Sequence, residues 1–100
     1  MIRNLDISLI RAFVTVASTG NMTTAADRLA LTQGAVSQQI KRLEDMLQIA
    51  LFDRSQRKLR LTRRGERLLG LSNRLLALND EIIAEMVGSA VGGTVRLGIP

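Results

Sequence analysis

The chain has 100 residues, 46% of them apolar, and a formal net charge of +5. Cysteine and histidine are both absent, which removes disulfides, thiol chemistry, most zinc sites and the usual general base. Phe13 and Phe52 are the whole aromatic complement, so the core must be aliphatic, and helices are favoured over a sheet sandwich.

The charge is local. Residues 54–67 hold six arginines, one lysine and one glutamate, so this stretch alone exceeds the net charge of the chain. A basic block this concentrated points to a polyanion contact. Arginine greatly outnumbers lysine, and its planar fork suits phosphates and narrow grooves. The opening MIRNLDISLIRAF has no run of signal-peptide length. No stretch of roughly 18 apolar residues occurs, so no membrane partner and a cytoplasmic location are expected.

Taken in order, Leu5, Leu9, Ile10, Phe13, Val16 and Ala17 predict an amphipathic helix over 5–19. Gly20 is placed to stop it in the left-handed region, with Asn21 helping the turn. A short second helix is predicted over 23–29, capped by Thr23 or Thr24 and burying Ala25, Ala26 and Leu29. The two alanines allow another helix to approach closely. Ala30-Leu31-Thr32 is then a tight turn. Thr32 caps a third helix from Gln33 to about Leu47, with Val36, Ile40, Leu43 and Leu47 on its buried side.

The opposite face of that helix carries Gln33, Gly34, Ser37, Gln38 and Lys41. Glutamine can hydrogen-bond the N6/N7 edge of adenine, and serine can serve base edges or phosphates. Gly34 and Ala35 permit close approach, or apolar contact with a thymine methyl. A threonine at a helix start, such as Thr23, offers a hydroxyl to a phosphate.

The run A-A-D-R-L-A-L-T-Q-G-A-V-S-Q-Q-I-K-R-L-E, followed by L-F-D-R and L-T-R-R-G, resembles the amino-terminal domain of LysR-type transcriptional regulators over about residues 5–88. The resemblance implies a mainly α fold. It would be a winged helix-turn-helix with a two-stranded wing and a long C-terminal linker helix that pairs with its twin. It places the helix-turn-helix at about 22–41. It brings Gln33, Gly34, Ser37 and Gln38 near bases, sets Thr23 on a phosphate and adds Arg54 as a backbone contact. Thr32 and Lys41 complete the candidate DNA-binding set on this motif. The chain departs from the pattern at Gln38, where many relatives carry arginine, so the base preferred there should differ. It departs again at Gln48, where a glycine commonly ends the helix.

Residues 51–62 predict a β-hairpin with the polar tip SQRK, the alternation Leu59-Arg60-Leu61-Thr62 and Phe52 as an anchor beneath. Arg57 and Lys58 at the tip would reach phosphates or a minor groove. From Thr62 a long helix runs to about Met86 or Val87 with two apolar stripes. Leu68, Leu71, Leu75, Leu78 and Ile82 form one, Leu69, Leu76, Ile83 and Met86 the other. So wide an apolar arc should serve two purposes, with one stripe on the core and the other on a second chain. The first is the candidate dimerisation seam.

Gly88, Gly92 and Gly93 break the pattern, and Thr94–Pro100 alternates as a strand. The expected organisation is a DNA-binding domain over 1–62 with its wing at 51–62, a dimerisation helix over 63–88, and over 89–100 a hinge leading into a second domain. The resemblance implies that this second domain, absent here, would bind a small-molecule effector.

The function read from these features is sequence-specific binding of double-stranded DNA by a dimeric regulator on an interrupted inverted repeat. No cofactor, metal or catalysis is expected, and neither G-x-x-x-x-G-K-[ST] nor G-x-G-x-x-G occurs. The competing reading is a helical interaction module for acidic protein partners. It uses the same basic block but explains neither the short turn nor the polar first turn of the third helix.

Overall fold

The computed structural model describes residues 3–55 and 58–88. Four helices and one small ribbon follow in order: α1 (Ile7–Thr19), α2 (Met22–Leu29), α3 (Gln33–Leu47), β1 (Phe52–Asp53), β2 (Arg60–Leu61) and α4 (Arg63–Ile83). A π-helical turn, Ala84–Gly88, continues α4.

Each helix starts where a polar side chain satisfies the free amides of the first turn. Asp6 accepts from Ser8 N at 2.8 Å, so α1 begins later than predicted and Leu5 stays outside it, partly exposed. Asn21, expected only to help a turn, caps α2 by accepting from Thr23 N and Thr24 N at 2.7 and 3.1 Å. Thr23 and Thr24 are therefore inside the first turn rather than at the cap. Thr32 caps α3 through Ala35 N, as predicted, at 3.1 Å. Gly20 ends α1 at φ 69°, a conformation that suits glycine. Ala30 ends α2 and Gln48 ends α3 in the same left-handed region, at φ 57° and 60°. A side chain there costs about 1–2 kcal/mol. At Gln48 its amide offsets part of this by donating to Asp45 O at 2.9 Å. The helix thus ends at Leu47 despite the missing glycine.

The core collects one face from each helix. Leu9, Ile10, Phe13 and Val16 come from α1, Ala25 and Ala26 from α2, and Val36, Ile40 and Leu43 from α3. Leu51, Phe52 and Leu76 close it. The two phenylalanines meet, with ring centroids 5.6 Å apart and planes tilted by 60°. That contact pins the base of the wing to α1 and is worth about 1 kcal/mol beyond the area buried.

The wing is smaller than predicted. Its strands are two residues each, antiparallel, pairing Phe52 with Leu61 and Asp53 with Arg60. A ribbon this short cannot support itself. It stands because both arms are tied to the helical body. Thr62 N donates to Leu51 O at 3.0 Å, and Thr62 Oγ1 donates to Ala50 O at 2.6 Å while accepting from Gly65 N to cap α4. One residue thus closes the ribbon and starts the helix. At Gly65 the helix passes so near the Leu51 carbonyl oxygen that a Cβ would collide with it.

The buried side of α4 runs through Gly65, Ser72 and Leu76, with Leu69 half-buried on the same stripe. Two of those positions are not apolar, so a hydrophobic pattern alone under-reports this stripe. The second predicted stripe is therefore the core stripe as far as Leu76, while its Ile83 and Met86 are exposed. At about 1.5 Å per residue, α4 is some 12 Å longer than α1 and outruns it. The Arg11–Asp80 ion pair, 3.1 Å long, ties the two together before the exposed end begins. The hinge and strand expected at 89–100 lie outside the described residues.

Candidate nucleic-acid interface

The helix-turn-helix joins the first turns of α2 and α3. Thr23, second residue of α2, donates its hydroxyl to Gln33 Oε1, on the first residue of α3, at 3.2 Å. Both side chains are exposed. They line one cleft with Gly20, Asn21, Met22, Lys58 and Leu59. The starts of two helices and one arm of the wing therefore converge on a single face. Thr23, Gln33 and Lys58, singled out separately in sequence, are neighbours there.

Farther along α3, Gln38 lies in a shallow groove with Ala35, Gln39 and Arg42. Arg42 is exposed and was not singled out from the sequence. Its i, i+4 spacing from Gln38 is the signal that could have found it. Ser37 is half-buried beside the core face. A Cβ at Gly34 would meet nothing within 4 Å, so the packing of the chain itself does not demand glycine there. Thr32 is exposed, its oxygen engaged as the α3 cap. Lys41 Nζ sits 3.8 Å from Asp45 on the next turn, both largely exposed. Such a pair is worth well under about 1 kcal/mol and exchanges readily for another anion.

The wing is aimed by a carboxylate on α3. Glu44 is largely buried, with 16% of its side chain exposed. One of its oxygens accepts from Leu51 N and Phe52 N at 2.8 and 3.3 Å. The other lies 3.5 Å from the Arg54 guanidinium. Glu44 therefore couples α3 to the wing base and holds Arg54. Its spacing of four from Ile40 puts it at the edge of the buried stripe, which is the sequence signal for this role. Beyond it, Asp53 accepts from Ser55 N and Oγ at 2.9 and 2.6 Å. The Ser55 side chain foremost, then its backbone amide and Arg60, hold the Asp53 carboxyl below the ordinary aspartate value. Arg57 lies outside the described residues.

The basic block continues onto α4. Arg63, Arg64 and Arg67 are all exposed. The first two stand at the positive end of the helix dipole, where each cation costs about 0.3–1 kcal/mol, partly offset by Glu66. Charges kept where they oppose the fold are poorly explained by stability. On the far side of α4, Leu71, Leu78 and Ile82 are exposed by 48%, 54% and 53%. Leu68 and Leu75, assigned to the same seam, instead pack in part against the core.

Residues 7–66 match the model of the bacterial regulatory helix-turn-helix protein, lysR family. The chain belongs to the LysR family. Among its relatives, the HTH-type transcriptional regulator DgdR of Burkholderia cepacia is 45% identical over 98 residues, covering 98% of this chain and 33% of that protein. The regulator PecT of Dickeya dadantii is 41% identical over 95 residues, covering 95% of this chain and 30% of that protein. The chain thus spans about a third of the length of these LysR-type relatives. Solved structures agree on the winged helix-turn-helix fold. The BenM_DBD/catB site 1 DNA complex superposes with a TM-score of 0.81 at 27% identity, covering 92% of this chain and all of that one. The CbnR_DBD–DNA complex gives 0.76 at 32% identity, covering 82% and 94%. Among the described residues of this LysR-type chain no helix is long and apolar enough to cross a membrane, and no group of three or more His, Cys, Asp or Glu could hold a metal.

Proposed function

We propose that this chain is the DNA-reading part of a transcriptional regulator that binds double-stranded DNA as a homodimer. α3 would enter the major groove, with Gln33, Gly34, Ser37 and Gln38 toward base edges. Thr23, Thr32 and Lys41 would approach the flanking phosphates, and Arg54, Arg57 and Lys58 would follow the backbone or minor groove from the wing. The observation that carries this reading is the convergence of Thr23, Gln33 and Lys58 on one cleft beside the exposed first turn of α3. Two similar solved structures that are complexes with DNA, those of BenM_DBD and CbnR_DBD, support it.

The exposed Leu71, Leu78 and Ile82 support a second copy on α4, with Leu68 and Leu75 shared between seam and core. A two-fold pair of reading helices would call for an interrupted inverted repeat. In a protein as long as the relatives, a small-molecule effector would be bound outside these 100 residues. With DNA as its partner, the protein would work in the cytoplasm.

Selection of bound duplexes from a random pool, with affinity followed against salt, tests the proposal. The expected result is a dyad-symmetric site whose log affinity falls linearly with log salt. Equal affinity for selected and random duplexes would overturn the specific-reader assignment. An acidic polypeptide bound as tightly as duplex at equal salt would favour the interaction-module reading.

A further inference from the structure

We infer that Thr23 is a positioning residue for Gln33, holding its amide nitrogen outward so that Gln33 reads a base by donating to the acceptor edge of guanine. The inference rests on the proposed function and names a recognition chemistry for it.

The Thr23 hydroxyl is free for this task because of how α2 begins. Asn21, not Thr23, caps the helix, its Oδ1 accepting from the Thr23 backbone amide. As the second residue of α2, Thr23 has no carbonyl of its own helix three or four residues back to accept its hydroxyl proton. The hydroxyl turns instead to Gln33 Oε1, at 3.2 Å. Gln33, as the first residue of α3, projects beside the same cleft and has no preceding turn to lie on. Without Thr23 its exposed amide could rotate to present either end.

With Oε1 turned toward Thr23, the end that projects outward is Nε2, which carries two donors and no acceptor. In the major groove guanine offers two acceptors side by side, N7 and O6. Adenine sets its N6 amino group beside N7, and cytosine shows an amino donor, so each opposes a donating amide. The paired contact expected from the sequence, glutamine to adenine, needs Oε1 as an acceptor for N6. Thr23 holds that oxygen turned toward itself. Exclusion of water at a DNA surface would strengthen the Thr23–Gln33 bond.

Site selection on the 100-residue chain and three variants tests the assignment. Gln33→Ala identifies the base pair that Gln33 reads, as the position whose preference it abolishes. Guanine is expected there for the unaltered chain. Thr23→Val keeps shape and removes the hydroxyl. It should lower the preference for guanine over adenine at that position about tenfold, leave other positions unchanged, and keep the melting temperature. Thr23→Ser should restore the preference. Adenine at that position in the unaltered chain overturns the inference and leaves the proposed function standing. So does a Thr23→Val protein that binds every duplex more weakly by one factor with that preference intact, because Thr23 then acts as a phosphate contact. Loss of all base preference in the unaltered chain overturns the proposed function, and the inference with it.

Discussion

The α2–α3 pair and the segment from Ala50 to Arg67 face the same side at the cleft shared by Gln33 and Lys58, but they are built by different means. The helix pair is held by local, uncharged groups. Asn21 and Thr32 cap it from within three residues, and its exposed first turns carry Thr23, Gln33 and Gly34 without net charge. The wing segment is held by distant and ionic groups. Glu44 reaches seven and eight residues to Leu51 and Phe52, and Thr62 reaches twelve back to Ala50. It also carries half of the lysines and arginines of the chain. A neutral reader beside a charged clamp separates which sequence is preferred from how tightly any sequence is held, since base edges specify and phosphates position.

The strongest way to break that separation is at the joint between the two regions. Gly65→Ala should cost about 1–3 kcal/mol in chemical denaturation, because its Cβ must push the Leu51 backbone and the wing base away from α4. Binding should then weaken on all duplexes alike. Gly34→Ala is the matched control in the reader. With open space around its Cβ it should hold or raise the unfolding free energy, by up to about 1 kcal/mol. A wing-dependent loss of base preference in Gly65→Ala would show that the two regions are not separable.

A smaller effect is expected from Arg64→Glu. Removing a cation from the positive end of the helix dipole should stabilise α4 by about 0.3–1 kcal/mol. Affinity for every duplex should fall, and the salt slope should shrink by about one, with base preference unchanged. Stability and binding moving in opposite directions would support a functional reason for keeping Arg63 and Arg64. Parallel losses would remove it.

The smallest effect separates ionic from neutral construction by pH. The folded Asp53 carboxyl lies below its ordinary value, with Ser55 as the main cause. Its contribution is therefore present above the unfolded value and is lost as pH falls through the folded one. Asp53→Asn should lower the melting temperature slightly at neutral pH, and the difference should vanish in acid below the aspartate range. The neutral caps Asn21 and Thr32 should give α2 and α3 no comparable dependence. A melting difference constant down to the lowest pH would show that the Asp53 charge does not stabilise the wing turn.

Much of the helical architecture was legible because it is written in short-range rules. The apolar spacing of Ile10, Phe13 and Val16, the alanine pair 25–26, and Val36, Ile40 and Leu43 each marked a buried face that the fold confirms. Thr32 and Thr62 marked two helix starts, and Gly20 an end. Periodicity and capping depend on neighbours within about four residues, so one sequence suffices to read them.

Tertiary packing decided the rest. Asn21 displaced Thr23 as the cap of α2, and only the approach of α2 to α3 shows that the freed hydroxyl meets Gln33. Only the fold brings the Leu51 and Phe52 amides within reach of Glu44. Gly65 and Ser72 carry no apolar signal, yet they lie on the stripe that α4 buries. The sequence determined which stretches become helices and where they cap, since those choices are settled by local hydrogen bonds and side-chain spacing. Only the three-dimensional arrangement decided which polar atoms meet across elements, because their partners lie seven to twelve residues away and are brought together by core burial.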